Sequence, residues 1–304
     1  MDRQKVLAIV GPTGIGKTSL SVWLAKQLNG EIISCDSMQV YKKMDIGTAK
    51  VTQEEMQGIH HELIDVQNYN EPYNVKVFQE KCRTAIEDVV KRGKFPILCG
   101  GTGLYLKAAL YDYEFQEENE DIAYTAFLNS KTNEELVAML KEKDEKALEK
   151  IHPNNRKRLI RALQICRSAT SKSEQEDKQQ HIPLYDVYFL GLDVDRDILH
   201  DRINKRVDIM FENGLVKEVE DLFTNPETWE YTSFQGIGYK EFKDYFLKEK
   251  SIDEVNTAIK THSRQYAKRQ YTWFKNQMPV HWFEAQNRDE IYSEVKEWLM
   301  DEDK

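Results

Sequence analysis

Short apolar runs alternate with helical patterns in the first third of the chain. Residues 6–10, 31–34 and 95–99 have the length of buried strands, and residues 61–66 form a weaker run of the same kind. Over residues 75–91, apolar side chains recur every three or four positions, which predicts a helix. Alternating strands and helices predict a parallel sheet, because parallel strands need a crossover between them.

The pattern changes after residue 113. Residues 114–182 are polar and charged with mostly helical spacing, and they include the low-complexity stretch SATSKSEQEDKQQH. A fifth apolar run at residues 187–192 predicts a return to the sheet, and helical patterns dominate from Asp197 onward. We therefore predict an α/β core made of residues 1–113 and 183–304, ending in helices, with residues 114–182 as a helical insertion.

The first strand leads into GPTGIGKT, residues 11–18, which has the spacing of a phosphate-binding loop. Its glycines let successive backbone N–H groups surround an anion, and the helix that follows adds positive potential. Lys17 can reach the outer phosphate, and the Thr18 hydroxyl can hold a magnesium ion. The loop does not identify the molecule that carries the phosphates.

Two polar segments follow other strands. Ligands of parallel sheets lie beyond the carboxyl ends of the strands, so Asp36 should project into the same crevice, where it could accept a proton or hold magnesium. Alternatively, the Asp36 side chain could cap a turn. The segment CGGTGLYL, residues 99–106, places Thr102 among glycines that allow close approach to a ligand, or forms an ordinary βα turn.

A pair of arginines is a further candidate for phosphate binding. Arg202 and Arg206 are four residues apart and share one face of a predicted helix. Their guanidinium groups could close over phosphates from the side opposite Lys17. The alternative is a surface helix with ion pairs to Asp201 and Asp208.

Charge is distributed unevenly along this acidic chain, whose net charge is −9. Residues 152–172 contain six basic side chains and no acidic one, and residues 260–275 interleave basic with aromatic side chains. Such local tracts can bind a polyanion, because phosphate contacts act over a Debye length of about 8 to 10 Å. The second tract could instead be a solvated helix with a buried aromatic side.

Composition excludes other classes. Hydrophobic content of 40% with 31% charged residues is typical of a globular protein, and no run approaches the roughly 18 apolar residues of a membrane span, so a cytoplasmic location is expected. The four cysteines lack the paired spacing of a zinc site or a disulfide framework. His60 and His61 have no third ligand at a useful spacing, which favours loop packing.

Seven motifs in order make the chain resemble the bacterial tRNA dimethylallyltransferase (IPP transferase) family. They are GPTGIGKT, DSMQVYKKMDIGTAK, HHELIDV, PILCGGTGLYL, HPNNRKRLIRAL, GIGYKE and SRQYAKRQYTWF. The resemblance covers about residues 5–110, 152–167 and 189–275. It departs from the family at Gly236, where alanine is more usual, and at Lys43, where glycine is common. It implies a three-layer α/β/α P-loop core like that of nucleoside kinases.

The resemblance also implies a reaction and its residues. The dimethylallyl group of dimethylallyl diphosphate would move to N6 of the adenosine 3′-adjacent to the tRNA anticodon, with Asp36, Thr102, Lys17 and Arg202 in catalytic roles. Magnesium would lie on Thr18 and Asp36. The diphosphate would contact Gly11, Thr13, Gly14, Ile15, Gly16, Lys17, Thr18 and Arg206. The tRNA would contact Asp36, Ser37, Met38, Gln39, Gly101, Lys157, Arg158, Leu159, Ile160, Arg161, Gln235, Gly236, Gly238, Tyr239, Lys240, Arg264, Lys268 and Arg269, while the insertion embraces the anticodon stem.

Three other functions remain open at this point. An adenylate prenyltransferase would share the core, but its small acceptor does not require the basic tracts or the insertion. A small-molecule kinase would use the phosphate loop for ATP, although no convincing Walker B aspartate ends an apolar strand. An RNA-binding NTP switch would leave Asp36 and Thr102 without a task. For the transferase we expect no membrane partner and a monomer.

Overall fold

The structure is a computed structural model that describes residues 3–115, 121–167 and 181–301. Contacts divide the chain into a core unit, Met1–Tyr111 with Pro183–Lys304, and a helical unit, Asp112–Ile182. Residues 168–180, most of the low-complexity stretch, lie outside the described residues. No described helix combines the length and hydropathy needed to cross a membrane.

The core unit is built on a six-stranded sheet in the order β3-β2-β4-β1-β5-β6, in which every neighbouring pair is parallel. The strands are β1 Lys5–Val10, β2 Gly30–Ser34, β3 His61–Glu62, β4 Phe95–Cys99, β5 Asp186–Asp193 and β6 Val280–Glu284. The helices of this unit are α1 Lys17–Gln27, α2 Gln53–Met56, α3 Val75–Lys91, α4 Gly103–Leu110, α8 Arg196–Glu212, α9 Leu215–Leu222, α10 Lys243–Phe246, α11 Ile252–Gln277 and α12 Arg288–Met300. The predicted parallel α/β fold is confirmed.

Alternation along β1 explains the layers. Val6, Ala8 and Val10 pack into one apolar cluster with α3, whereas Leu7 and Ile9 pack into a second cluster with α1. All five side chains are fully buried. Both faces of the sheet are therefore covered, as continuous apolar strands require.

Two predictions of strands were wrong in detail. The weak run at 61–66 pairs only over β3, because Leu63 and Asp65 adopt positive φ angles of 63° and 56°, which extended strands do not allow. The helical assignment from Asp197 onward missed β6. Gly191 of β5 makes room for the side chains of β6, because a Cβ at Gly191 would overlap Val280.

The helical unit contains α5 Ile122–Asn129, α6 Asn133–Asp144, a 3-10 turn at Glu145–Glu149 and α7 Arg156–Arg167. Its core is a cluster of buried leucines that includes Leu136, Leu140, Leu159 and Leu163. The unit therefore has an apolar core of its own, which is the property expected of a domain.

Candidate active site

The phosphate loop has the backbone needed to surround an anion. Gly11, Gly14 and Gly16 have φ angles of 139°, 81° and 105°, which favour glycine. Gly16 is the N-cap of α1 and offers no side-chain cap to the first N–H groups of that helix. Those groups and the helix dipole make this end of the loop suited to an anion.

Lys17 lies along the loop. Its Nζ donates hydrogen bonds to the carbonyl oxygens of Gly11, at 2.9 Å, and Pro12, at 2.8 Å. Burial lowers the pKa of Lys17 from 10.5 to about 8, although the nearby Cys99 and Asp36 oppose that shift and Arg206 adds to it. The amine is thus held beside the phosphate site in a partly desolvated pocket.

Helix α8 brings Arg206 to the same loop. Its Nη2 donates to the Thr13 hydroxyl at 2.6 Å, and its buried Nε has no hydrogen-bond partner among the described residues. Burial lowers the pKa of Arg206, and the charge of Asp36 acts in the opposite direction. Arg202, one turn earlier, is exposed. Of the two predicted arginines, Arg206 is the one in contact with the loop.

Asp36 follows β2 and performs the turn-capping task that the sequence left open. Its Oδ1 accepts the N–H groups of Met38, at 2.8 Å, and Gln39, at 3.4 Å. Because β2, β4 and β1 are parallel neighbours, Asp36 after β2 lies at the same end of the sheet as the phosphate loop after β1. Burial lowers the pKa values of Lys17 and Arg206, and the charge of Asp36 opposes that lowering. The carboxylate therefore lies in the crevice that contains the phosphate loop.

The turn that carries Thr102 packs closely between its neighbours. A Cβ at Gly100 would overlap the backbone of Cys35, and one at Gly103 would overlap the ring of Trp273. Thr102 is the N-cap of α4, and its side chain makes no cap hydrogen bond there. The hydroxyl of Tyr266 lies beside the Thr102 side chain. Burial raises the pKa of Tyr266, and the charge of Asp36 raises it further.

Sequence reasoning missed two side chains of α11 that support this turn, Tyr266 and Gln270. Gln270 is buried and bonded both to Thr13 in the phosphate loop and to Gly101 in the turn. The SRQYAKRQYTWF motif contains both residues, but spacing on a helix does not reveal which distant loops the helix faces.

The segment after Asp36 packs against the segment 235–240. Ser37, Met38 and Gln39 are half-buried, and Gly236 lies so close to Met38 that a Cβ there would overlap its terminal methyl. Gln39 also donates to the carbonyl of Ala49 at 3.1 Å. The predicted base-reading residues and the predicted loop contacts therefore form one surface.

Tyr239 corrects a prediction within that surface. It is fully buried and its hydroxyl donates to Glu218 at 2.7 Å, so its side chain is structural rather than free to contact RNA. Gly238 is buried as well, with a φ of 99° beside the carbonyl of Gly47. Gln235 and Lys240 are exposed.

The first basic tract contains side chains with different tasks. Lys157, Arg158 and Arg161 are exposed, whereas Leu159 is fully buried in the core of the helical unit, which corrects its assignment as an RNA-contacting side chain. Ile160 packs against the same core. Lys172 lies outside the described residues.

Arg156 lies in the first basic tract of the sequence, but its guanidinium bonds backbone carbonyls of the same unit. Its guanidinium donates to the carbonyls of Lys131, at 2.7 Å, and Asn129, at 2.8 Å. These carbonyls lie at and just beyond the end of α5, where cations are favoured. Arg156 therefore joins α7 to α5.

The second basic tract forms part of α11. Lys260 pairs with Asp208 and Arg264 donates to Asn204, so both are engaged with α8. Lys268 and Arg269 are exposed, and the Arg269 guanidinium lies 5.6 Å from the centre of the Tyr266 ring. The exposed basic surface of this helix therefore lies next to Tyr266.

His60 does have carboxylates nearby, contrary to the expectation from spacing. Glu31, His60 and Glu62 bring potential metal-ligating atoms within 4.8 Å of one another. The guanidinium of Arg92 already bonds both carboxylates, at 2.6 and 2.8 Å. The group is an ion-pair network in this structure. Its third member, Glu31, is too distant in sequence for spacing to reveal it.

Comparison with known proteins identifies relatives over almost the whole chain. The family model described as IPP transferase matches residues 39–277. A tRNA dimethylallyltransferase of Bacillus cereus is 48% identical over 304 residues, covering 98% of this chain and 95% of the relative. A relative of the same name from Bacillus anthracis is also 48% identical over 304 residues, covering 98% of this chain and 96% of its own.

Solved structures agree with these sequence matches. The full-length tRNA isopentenylpyrophosphate transferase of Bacillus halodurans is 42% identical with a TM-score of 0.73, covering 98% of this chain and 96% of its own. A eukaryotic dimethylallyltransferase, described as acting on tRNA, is 32% identical with a TM-score of 0.80, covering 97% of this chain and 77% of its own.

Proposed function

The chain belongs to the IPP transferase family, and from that premise we propose that it transfers the dimethylallyl group of dimethylallyl diphosphate to a tRNA. The acceptor is N6 of the adenosine 3′-adjacent to the anticodon, and diphosphate is released. The observation that carries the proposal is that Asp36 follows β2 and the phosphate loop follows β1, at the same end of two strands that flank β4, with Lys17 and Arg206 bonded to that loop. A base for the acceptor and cations for the leaving group thereby lie together.

The phosphate loop stabilises the departing diphosphate. An allylic C–O bond breaks readily when its leaving group is stabilised, because the positive charge that develops spreads over the allyl system. The open N–H groups at the start of α1, the Lys17 ammonium and the unpaired Nε of Arg206 are donors for that charge. Since Arg206 contacts the loop and Arg202 is exposed, we assign the leaving-group role to Arg206.

Asp36 and Thr102 act on the acceptor. The adenine must leave its stack to reach the crevice. As the bond from N6 to the allylic carbon forms, N6 loses a proton, and we assign its removal to the Asp36 carboxylate. Thr102 lies on the neighbouring turn, where its hydroxyl is not used in capping α4, and we assign it to orient the base or the leaving group.

We assign a magnesium ion to the Thr18 hydroxyl and the Asp36 carboxylate. The Thr18 hydroxyl and the Asp36 carboxylate are both half-buried oxygen ligands, the type that Mg²⁺ prefers. When bound, the ion would neutralise diphosphate charge.

RNA binding is assigned to exposed basic side chains. Lys157, Arg158 and Arg161 of α7, with Lys268 and Arg269 of α11, offer contacts for phosphates of the anticodon stem and loop. Gln235, Gly236 and Lys240 lie on the surface shared with Met38 and extend it. We propose a cytoplasmic reaction, because the acceptor is a tRNA. We also propose a monomer, because one chain contains every assigned residue.

Incubation with radiolabelled dimethylallyl diphosphate and magnesium tests the donor and the acceptor together. Unmodified tRNA, AMP and ATP are offered in separate reactions. We expect label in tRNA alone. Label in AMP or ATP would assign the chain to small-nucleotide prenylation, and no transfer to any acceptor would contradict the proposal.

A further inference from the structure

One buried side chain bridges the two halves of the proposed site. Gln270 of α11 accepts the N–H of Thr13 at Oε1, at 2.8 Å, and donates from Nε2 to the carbonyl of Gly101, at 3.0 Å. Thr13 belongs to the phosphate loop after β1, and Gly101 belongs to the turn after β4. The carboxamide therefore connects the loop that holds the leaving group to the turn that faces the acceptor.

The bridge is specific to a carboxamide at this distance. Gln270 is 6% exposed, and a Cβ at Gly101 would overlap its Nε2, so the turn has no space for another side chain. Glutamate could accept from Thr13 but could not donate to Gly101 when ionised. Methionine would preserve much of the shape and lose both hydrogen bonds.

Other contacts make Thr13 and the turn sensitive to this bridge. The Thr13 hydroxyl accepts from Arg206 at 2.6 Å, so the residue that Gln270 holds by its N–H also orients the arginine. Tyr266 and Trp273, on the same helix, contact Thr102 and Gly103 of the turn. One face of α11 thus supports the turn, and Gln270 on that face also bonds the phosphate loop.

We propose that Gln270 is a positioning residue that sets the distance between the donor loop and the acceptor turn, an inference that rests on the function proposed above. Group transfer requires the reacting atoms to approach to about 3 to 3.5 Å, and a misplacement of about 1 Å can cost about 10²-fold in rate. The Gln270 carboxamide is buried and bonded at both ends to protein backbone groups. It acts through Thr13 and Gly101, so its loss should slow the chemical step more than it weakens substrate binding.

The test separates chemistry from binding. Single-turnover transfer to tRNA, at saturating concentrations of both substrates, is measured for wild type, Gln270→Met and Gln270→Glu, beside the Kd for tRNA and the melting temperature. We expect both variants to lower the transfer rate about 10- to 100-fold while the tRNA Kd changes less than about twofold. Gln277→Met, on the exposed end of the same helix, should match wild type.

A second control separates positioning from general destabilisation. Ile259→Val removes a methyl group from a buried position of α11 and should lower the melting temperature without slowing transfer. A folded Gln270→Met variant that transfers within threefold of wild type would overturn the proposal, as would a rate loss matched by an equal loss of tRNA affinity. If Gln270→Met does not fold, Gln270→Glu decides. An inactive wild type would instead contradict the proposed function itself.

Discussion

Asp36 shows how one carboxylate can serve both local structure and chemistry. Its Oδ1 caps the turn at Met38, while its charge acts on Lys17 and Arg206 across the crevice. Replacement by alanine removes both tasks at once. Asparagine retains an oxygen that can accept the Met38 N–H but cannot take up a proton from the acceptor amine.

Asp36→Asn should therefore lower turnover by about 10² to 10⁴ while the fold is preserved. We expect the Kd for inorganic diphosphate to change only a few-fold, because the loop donors are intact. Rapid-quench transfer assays and calorimetric titration measure the two quantities. Asp36→Ala provides the comparison, since it should lose the cap as well. Turnover equal to wild type would remove Asp36 as the base.

The lowered pKa of Lys17 predicts that the affinity for diphosphate depends on pH. Its pKa in the folded protein is about 8, below the ordinary 10.5, so the amine loses its charge as the pH rises through 8. Above that pH, binding must return a proton to the amine, and affinity should fall toward about tenfold per pH unit. Below pH 8 the amine is charged already and its contribution is constant. Calorimetric titration in buffers of different ionisation enthalpy measures the proton uptake.

Lys17→Arg separates this effect from the titration of diphosphate itself. A guanidinium stays protonated throughout the range, so the part of the slope that belongs to the protein should disappear. Identical pH profiles for wild type and Lys17→Arg would show that Lys17 does not lose its proton near pH 8.

At the scale of elements, a carboxylate of α9 holds the loop after β2. The Glu218 side chain accepts the N–H groups of Asp45, Ile46 and Gly47 at 2.7 to 2.9 Å, and the hydroxyl of Tyr239 at 2.7 Å. Hydrogen bonds to an ionised acceptor are stronger than neutral ones. The DIGTAK part of the motif therefore depends on a residue outside it.

Glu218→Ala should destabilise the core unit by about 2 to 3 kcal/mol, because it leaves several donors without their acceptor. Urea unfolding followed by circular dichroism measures the loss. Tyr239→Phe deletes a single hydrogen bond and should cost about 1 kcal/mol. A Glu218→Ala variant as stable as wild type would mean that water replaces the carboxylate.

Elements with local signals could be predicted from the sequence, and elements defined by distant contacts could not. The strand runs and the phosphate loop are local patterns, so β1, β2, β4 and β5 formed at or near their predicted positions. Gln270 and Glu218 act on loops far away in sequence, and no spacing marks them. The basic tract at 152–172 is recognisable from its charge, but charge does not show that Arg156 bonds backbone carbonyls or that Leu159 is buried.

At the scale of the whole molecule, an acidic protein must bind a polyanion through a restricted surface. The chain carries a net charge of −9, so the protein as a whole does not attract tRNA over long distances. Lys157 and Arg158 are exposed on the first turn of α7 and provide a local exception. Binding through such contacts releases counterions from the RNA and should weaken with salt.

Joint replacement of Lys157 and Arg158 by alanine should weaken tRNA binding and flatten its dependence on salt. Each phosphate contact that is lost should reduce the slope of log K against log salt by about one unit or slightly less. Filter binding of anticodon stem-loop RNA across a salt series measures that slope. Lys91 and Lys94 serve as the charge-matched control, because they lie beside the amino-terminal end of β4, whereas the phosphate loop follows the carboxyl end of the neighbouring parallel strand β1. Their replacement should leave the slope unchanged, and equal slopes for both double variants and wild type would move the RNA surface away from α7.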